Sequence, residues 1–167
     1  MYYGVLYMNK KKFSISIIVL IIDQILKLLV QTFETNHVVI DKIFSITYYQ
    51  NAGAAWSILE GKTALLIGIS IVMLVLVYSM MFSFDENKLT NFSFGLLFGG
   101  IIGNLIDRIL FGYVRDFISV VIFGYYFPIF NIADAAIVIG VILLIIETIK
   151  GEIKNENSSR GKLTKNR

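Results

Sequence analysis

Four aspartates stand inside or beside strongly apolar sequence: Asp23, Asp107, Asp116 and Asp134. Asp116 and Asp134 lie 18 residues apart, which is not a helical spacing, so only the fold can bring them together. Two close carboxylates in a weakly solvated site cannot both ionise comfortably and instead share a proton. One can then act as base on a water while the other donates a hydrogen bond to a scissile carbonyl, which is aspartic-protease chemistry. Plainer roles are open to both. Asn131 and Asp134 have the spacing of an N-cap and its third helical residue, and Asp116 adjoins Arg115. Spacing alone favours the plainer roles.

The other charges are costly where they stand. A charged side chain in a spanning helix costs roughly 2.5–3.5 kcal/mol on insertion scales. Asp23 and Lys27, at i and i+4, share a helix face and can neutralise each other. Asn104, Asp107 and Arg108 form a second polar cluster beside a ridge of Gly95, Gly99 and Gly103, which lets another helix come close. That cluster either ties down the end of a tightly packed helix, or uses Arg108 to orient a carboxylate or a substrate carbonyl.

The elements that must position these residues follow from composition. Of 167 residues, 56% are hydrophobic and 16% charged, against about a quarter charged in a soluble domain. The mean hydropathy is +0.74. Four apolar stretches reach the roughly 20 residues needed to cross a bilayer: 13–33, 63–84, 91–111 and 132–150. The first follows Lys10, Lys11 and Lys12 but exceeds a signal-peptide core and lacks a small-residue cleavage site, so it reads as a retained span. The chain is thus an α-helical integral membrane protein with four transmembrane helices. It divides into an N-terminal segment 1–12, a membrane domain 13–150 and a basic, disordered tail 151–167.

Lysines and arginines set the orientation. Ten lie before the first span, between the second and third, or from Lys150 onward; three, Lys42, Lys62 and Arg115, lie on the other side. Positive residues stay inside, so both termini are expected in the cytoplasm and Asp116 and Asp134 at the outer boundary. The sequence pI of about 9.0 therefore does not signal nucleic-acid binding. In the outer loops, 38–49 is rich in β-branched and aromatic residues and reads as strand or hairpin. Residues 119–130 are aromatic and apolar and suit the membrane interface. The absence of cysteine and the single histidine, His37, leave no set of zinc ligands and no thiol nucleophile.

In chain order, Asp23-Gln24-x-x-Lys27, Asn51-Ala52-Gly53-Ala54-Ala55-Trp56-Ser57, Gly99-Gly100-x-x-Gly103-Asn104-x-x-Asp107-Arg108, Val114-Arg115-Asp116-Phe117 and Phe130-Asn131-Ile132-Ala133-Asp134 can be read off. With these five motifs the chain resembles the lipoprotein signal peptidases (signal peptidase II), bacterial membrane aspartic proteases, from about Phe13 to Lys150. The resemblance implies that Asp116 and Asp134 are the catalytic dyad, with Asp23, Asn51, Gly53, Asn104, Arg108 and Asn131 supporting the site. It also implies a small β-structured cradle in the first outer loop, a mobile second loop, and water as nucleophile without a cofactor; four spans with two inward-facing acids could work as a monomer. The implied substrate is a prolipoprotein carrying a diacylglyceryl cysteine in the bacterial cytoplasmic membrane, cut just before that cysteine, with membrane lipid as the other partner.

Three features depart from the family pattern: Trp56 where phenylalanine is usual, Arg115 beside Asp116, and a lead long enough for Met8 to be a second start. If Arg115 reached Asp116, it would lower that carboxyl's pKa. Two other readings stay open on residues alone: a proton-coupled transporter using Asp23, Asp107 and Asp134 as a relay, and a non-catalytic membrane subunit.

Overall fold

The computed structural model describes residues 9–54 and 58–165, with side chains through Ile153. Ala55, Trp56, Ser57 and the alternative start Met8 lie outside the described residues. Four helices are long and apolar enough to span a membrane. They are α1 (Lys10–Thr32), α2 (Thr63–Met80, prolonged by a 3-10 turn), α3 (Lys88–Phe111) and α4 (Ile132–Lys165). Their exposure is inverted relative to a soluble bundle. On α1, Ile18, Ile21, Ile25 and Leu28 face outward, while Asp23 and Lys27 are wholly buried.

Caps extend two helices beyond their apolar runs. The Asn9 side chain accepts from Lys12 N, so α1 begins at Lys10 instead of near Phe13. Asn87 and Thr90 form a reciprocal capping box, so α3 begins at Lys88 instead of Asn91. α3 ends at Gly112, whose φ of 82° is the left-handed conformation that stops a helix. The fourth helix runs past its apolar stretch. Its backbone stays helical to Lys165, where the polar tail reads as disordered from composition. Extending an existing helix adds one hydrogen bond per residue without a nucleation cost, so a polar segment can follow an apolar one.

α3 is the central helix and the most buried. Its glycine ridge meets α1: a methyl on Gly99 would lie 2.8 Å from Ser16 O, and one on Gly103 would lie 2.7 Å from Asp23 Oδ2. Gly100, on a neighbouring face, brings α4 equally close, with a methyl placed 2.5 Å from Ala133 O. These approaches set the carboxylates of three helices side by side.

A four-stranded antiparallel sheet of order β1-β2-β3-β4 sits at one end of the bundle. It comprises β1 (Asn36–Ile40), β2 (Phe44–Asn51), β3 (Val114–Ile122) and β4 (Tyr125–Tyr126). The strand character read over 38–49 is present as the β1–β2 hairpin. The sheet also takes strands from the second loop, which the sequence reading leaves as interfacial loop. β2 pairs with β3 from Phe44 opposite Val120 to Asn51 opposite Val114, placing Tyr49 opposite Asp116. Phe130 runs alongside, its carbonyl accepting from Phe117 N and Ile118 N at 3.0 and 2.7 Å. This pairing delivers Asn131 to the level of Asp116.

Candidate active site

Asp116 is the third residue of β3, and Asp134 the third of α4. One side chain spans the gap between them. Asn131, fully buried, donates from Nδ2 to Asp116 Oδ1 at 2.6 Å. Its backbone N–H donates to Asp134 Oδ2 at 3.2 Å, and its Oδ1 accepts from Asp134 N at 2.9 Å. The capping role read for Asn131 and Asp134 is thus present, and it holds the two carboxylates in one unit.

Two further asparagines take the remaining carboxylate oxygens, and each is turned the right way by a group that can only donate. Lys27 Nζ donates to Asn104 Oδ1 at 2.9 Å, leaving Asn104 Nδ2 to donate to Asp134 Oδ1 at 2.7 Å. Gly53 N donates to Asn51 Oδ1 at 3.0 Å, leaving Asn51 Nδ2 to donate to Asp116 Oδ2 at 2.8 Å. Arg108 completes the ring, with a guanidinium N–H donating to Gly53 O at 3.2 Å and its Nε buried without a partner among the described residues.

Behind this ring lies a buried ionic layer. Lys27 sits 2.8 Å from Asp23 Oδ2 and 3.3 Å from Asp107 Oδ2, all three side chains excluded from solvent. Asp23 Oδ1 accepts from Ala133 N, tying α1 to the start of α4. Asp107 also accepts from the Arg115 guanidinium at 2.7 Å and from Arg115 N at 2.9 Å. Successive strand residues point to opposite faces, so Arg115 goes to Asp107 while Asp116 goes to the dyad. The adjacency of Arg115 and Asp116 is therefore not a pairing.

Sequence reasoning gave no role to Gln24 and Gln31, which hold Arg115 at 2.8 and 3.1 Å, or to Phe111, whose ring lies 4.5 Å from the guanidinium carbon. Gln24 and Gln31 are two helical turns apart on the first span, and that spacing was the available signal.

The Asp116 carboxyl is pushed up to about 7, first by burial and then by the neighbouring charge of Asp134, against the hydrogen bonds from Asn51 and Asn131. The sign for stability follows. Between the ordinary 3.8 and about 7 the folded protein keeps a proton that the unfolded chain releases, so stability falls as pH rises through that window. Thermal unfolding in detergent from pH 4.5 to 8 should show this decline in wild type and a shallower one in Asp116→Asn. Identical slopes would refute it.

The carboxylates lie at the polar end of a cavity of about 990 Å³ that continues between α2 and α4 over the face of α3. Asn51, Asn104 and Arg108 share that end, and the walls beyond are apolar, with Met73 and Val77 on one side and Val141 and Ile145 on the other.

The chain is similar in sequence and fold to known proteins. The family model described as signal peptidase (SPase) II matches residues 15–150. The chain belongs to the signal peptidase II family. The lipoprotein signal peptidases of Staphylococcus aureus strains JH9 and Newman are each 44% identical to it over 152 residues, covering 86% of this chain and 93% of theirs. Two solved structures of a bacterial membrane enzyme, at 2.3 and 1.9 Å, are 42% identical, with TM-scores of 0.77 and 0.75. They match over 86% of this chain and 90% and 96% of their own. All ten residues singled out from the sequence fall into one assembly. Asn51, Asn104, Arg108, Asp116 and Asp134 line the polar end of the cavity, Gly53 and Asn131 back them, and Asp23, Lys27 and Asp107 form the ionic layer behind. Lys27 and Arg115 hold Asp23 and Asp107 in ion pairs, which removes two of the three acids from the relay reading.

Proposed function

We propose that Asp116 and Asp134 are the catalytic dyad of a signal peptidase II that cuts just before a diacylglyceryl-modified cysteine. As a family member the protein is a protease that removes signal peptides from prolipoproteins. The observation that carries the finer reading is the bridging of both carboxylates by Asn131 at the mouth of an apolar cavity. Such a cavity suits the apolar helix of a signal peptide, and the polar mouth suits its cleavage site.

In this mechanism one carboxylate takes a proton from a water, and the resulting hydroxyl adds to the scissile carbonyl. The protonated partner donates to the carbonyl oxygen as negative charge develops there. Collapse of the tetrahedral intermediate breaks the C–N bond, and the amide nitrogen leaves with the proton taken from water. Asn51, Asn104 and Asn131 hold the carboxylates in position, and Arg108, whose side chain lines the cavity beside them, orients the peptide. The reaction needs no cofactor, and one copy of the chain carries every group. The distribution of lysine and arginine supports cytoplasmic termini and a dyad at the outer face.

Detergent-purified protein tests the substrate reading. A synthetic prolipoprotein bearing the diacylglyceryl cysteine should be cut and its unlipidated precursor left intact, followed by mass shift on a gel. Equal cleavage of both would refute lipid recognition.

A further inference from the structure

A second cavity, of about 400 Å³, opens at the other end of the bundle, and none of the chemistry above uses it. Asn91, on its lining, and Asn104, at the dyad, are separated along α3 by about 20 Å at 1.5 Å per residue. The cavity lies where α1 and α3 both begin, between Asn9, Lys10, Lys11, Glu86, Lys88 and Asn91. We propose that it binds the phosphodiester headgroup of an anionic membrane lipid.

Charge is the first argument. The one carboxylate on the lining, Glu86, is already engaged, accepting from Asn9 Nδ2 at 2.9 Å and from Lys12 Nζ at 3.1 Å. Lys12 is itself buried and spent on that pair. Lys10, Lys11 and Lys88 remain, all exposed, and none is in a salt bridge among the described residues. Three ammonium groups around the recess therefore have no salt-bridge partner among the described residues.

Position is the second argument. Lys10 and Lys88 are the first residues of two membrane spans, so the recess sits at headgroup depth. Basic pockets between spans at that depth take lipid phosphates. The recess is also pre-formed. Asn9 Nδ2 reaches both Glu86 and Asn91, at 2.9 and 3.0 Å, and Asn87 Nδ2 reaches Glu147 Oε1 at 2.5 Å, so α1, α3 and α4 are fastened around it. The beginnings of α1 and α3 add the positive ends of two helix dipoles. A free phosphate shares the headgroup's chemistry, but the exposed apolar residues just inside this level, Phe13 at 55% and Phe92 at 45%, suit acyl chains attached to it.

Native mass spectrometry of the detergent-purified full chain, titrated with phosphatidylglycerol, tests the site. Wild type should retain one lipid more tightly than the triple variant Lys10→Gln/Lys11→Gln/Lys88→Gln. At about fivefold per lysine, the difference should be on the order of 100-fold. The corresponding triple arginine variant should bind like wild type, and phosphatidylcholine should bind wild type and the glutamine variant alike. Equal phosphatidylglycerol affinity for wild type and the glutamine variant would overturn the site. So would displacement of the lipid by millimolar inorganic phosphate, which would make a free anion the occupant. The readout is independent of peptidase activity, so the outcome stands apart from the fate of the dyad assignment.

Discussion

Replacing either Asp116 or Asp134 with asparagine should lower turnover of a lipidated prolipoprotein by at least about 10³-fold, the scale of general acid–base catalysis. In the proposed mechanism the two carboxylates act as one unit, each useless without the other as base or proton donor. The double variant should therefore be scarcely worse than either single one. Both oxygens of each carboxylate accept hydrogen bonds from asparagines, so an introduced amide sets a donor against a donor. That mismatch costs roughly 1–3 kcal/mol of stability, too little to explain so large a loss of rate, and thermal melts of the same preparations separate the two effects. A folded variant that still cuts within tenfold of wild type would rule out the dyad.

Lys27→Met should be the most damaging single change to the fold. Lys27 is fully buried and holds Asp23 at 2.8 Å and Asp107 at 3.3 Å. Its removal leaves buried carboxylates without that cation, and breaking a buried pair in this way costs about 3–5 kcal/mol. Arg115 still neutralises Asp107, so the greater burden falls on Asp23. Adding Asp23→Asn to Lys27→Met should accordingly recover part of the loss. Catalysis should suffer as well, because Asn104 Oδ1 then keeps only the Asn131 Nδ2 donor at 3.1 Å, and the amide that donates to Asp134 is held less firmly. Unfolding in detergent followed by circular dichroism checks this. A Lys27→Met protein that melts with wild type would show that the ion pair contributes nothing net.

The spans were legible because about 20 apolar residues in a row have few other uses. Their beginnings were misjudged by three residues at α1 and α3, since polar caps at Asn9 and Asn87 carry the helix past the apolar run. The β1–β2 hairpin could be read from local composition. The pairing of β2 with β3 could not, because it joins residues more than 60 positions apart and has no local signature. That omission explains the error at Arg115. Without a strand over 114–122 there was no alternation to send Arg115 and Asp116 to opposite faces.

Asn131 and Asp134 taught a different lesson. Their capping geometry and their place beside Asp116 are the same set of hydrogen bonds, so a structural reading and a chemical one were never in competition there.

The long cavity between α2 and α4 also bears on how the reaction is counted. Ile69, Met73, Val138 and Ile145, which line it, are 43–57% exposed. A cleft that opens sideways through such residues is entered from the plane of the bilayer. The quantity that governs turnover is then the number of substrate molecules per lipid, a mole fraction and not a molarity. Empty micelles added at constant substrate concentration should slow cleavage simply by diluting the surface.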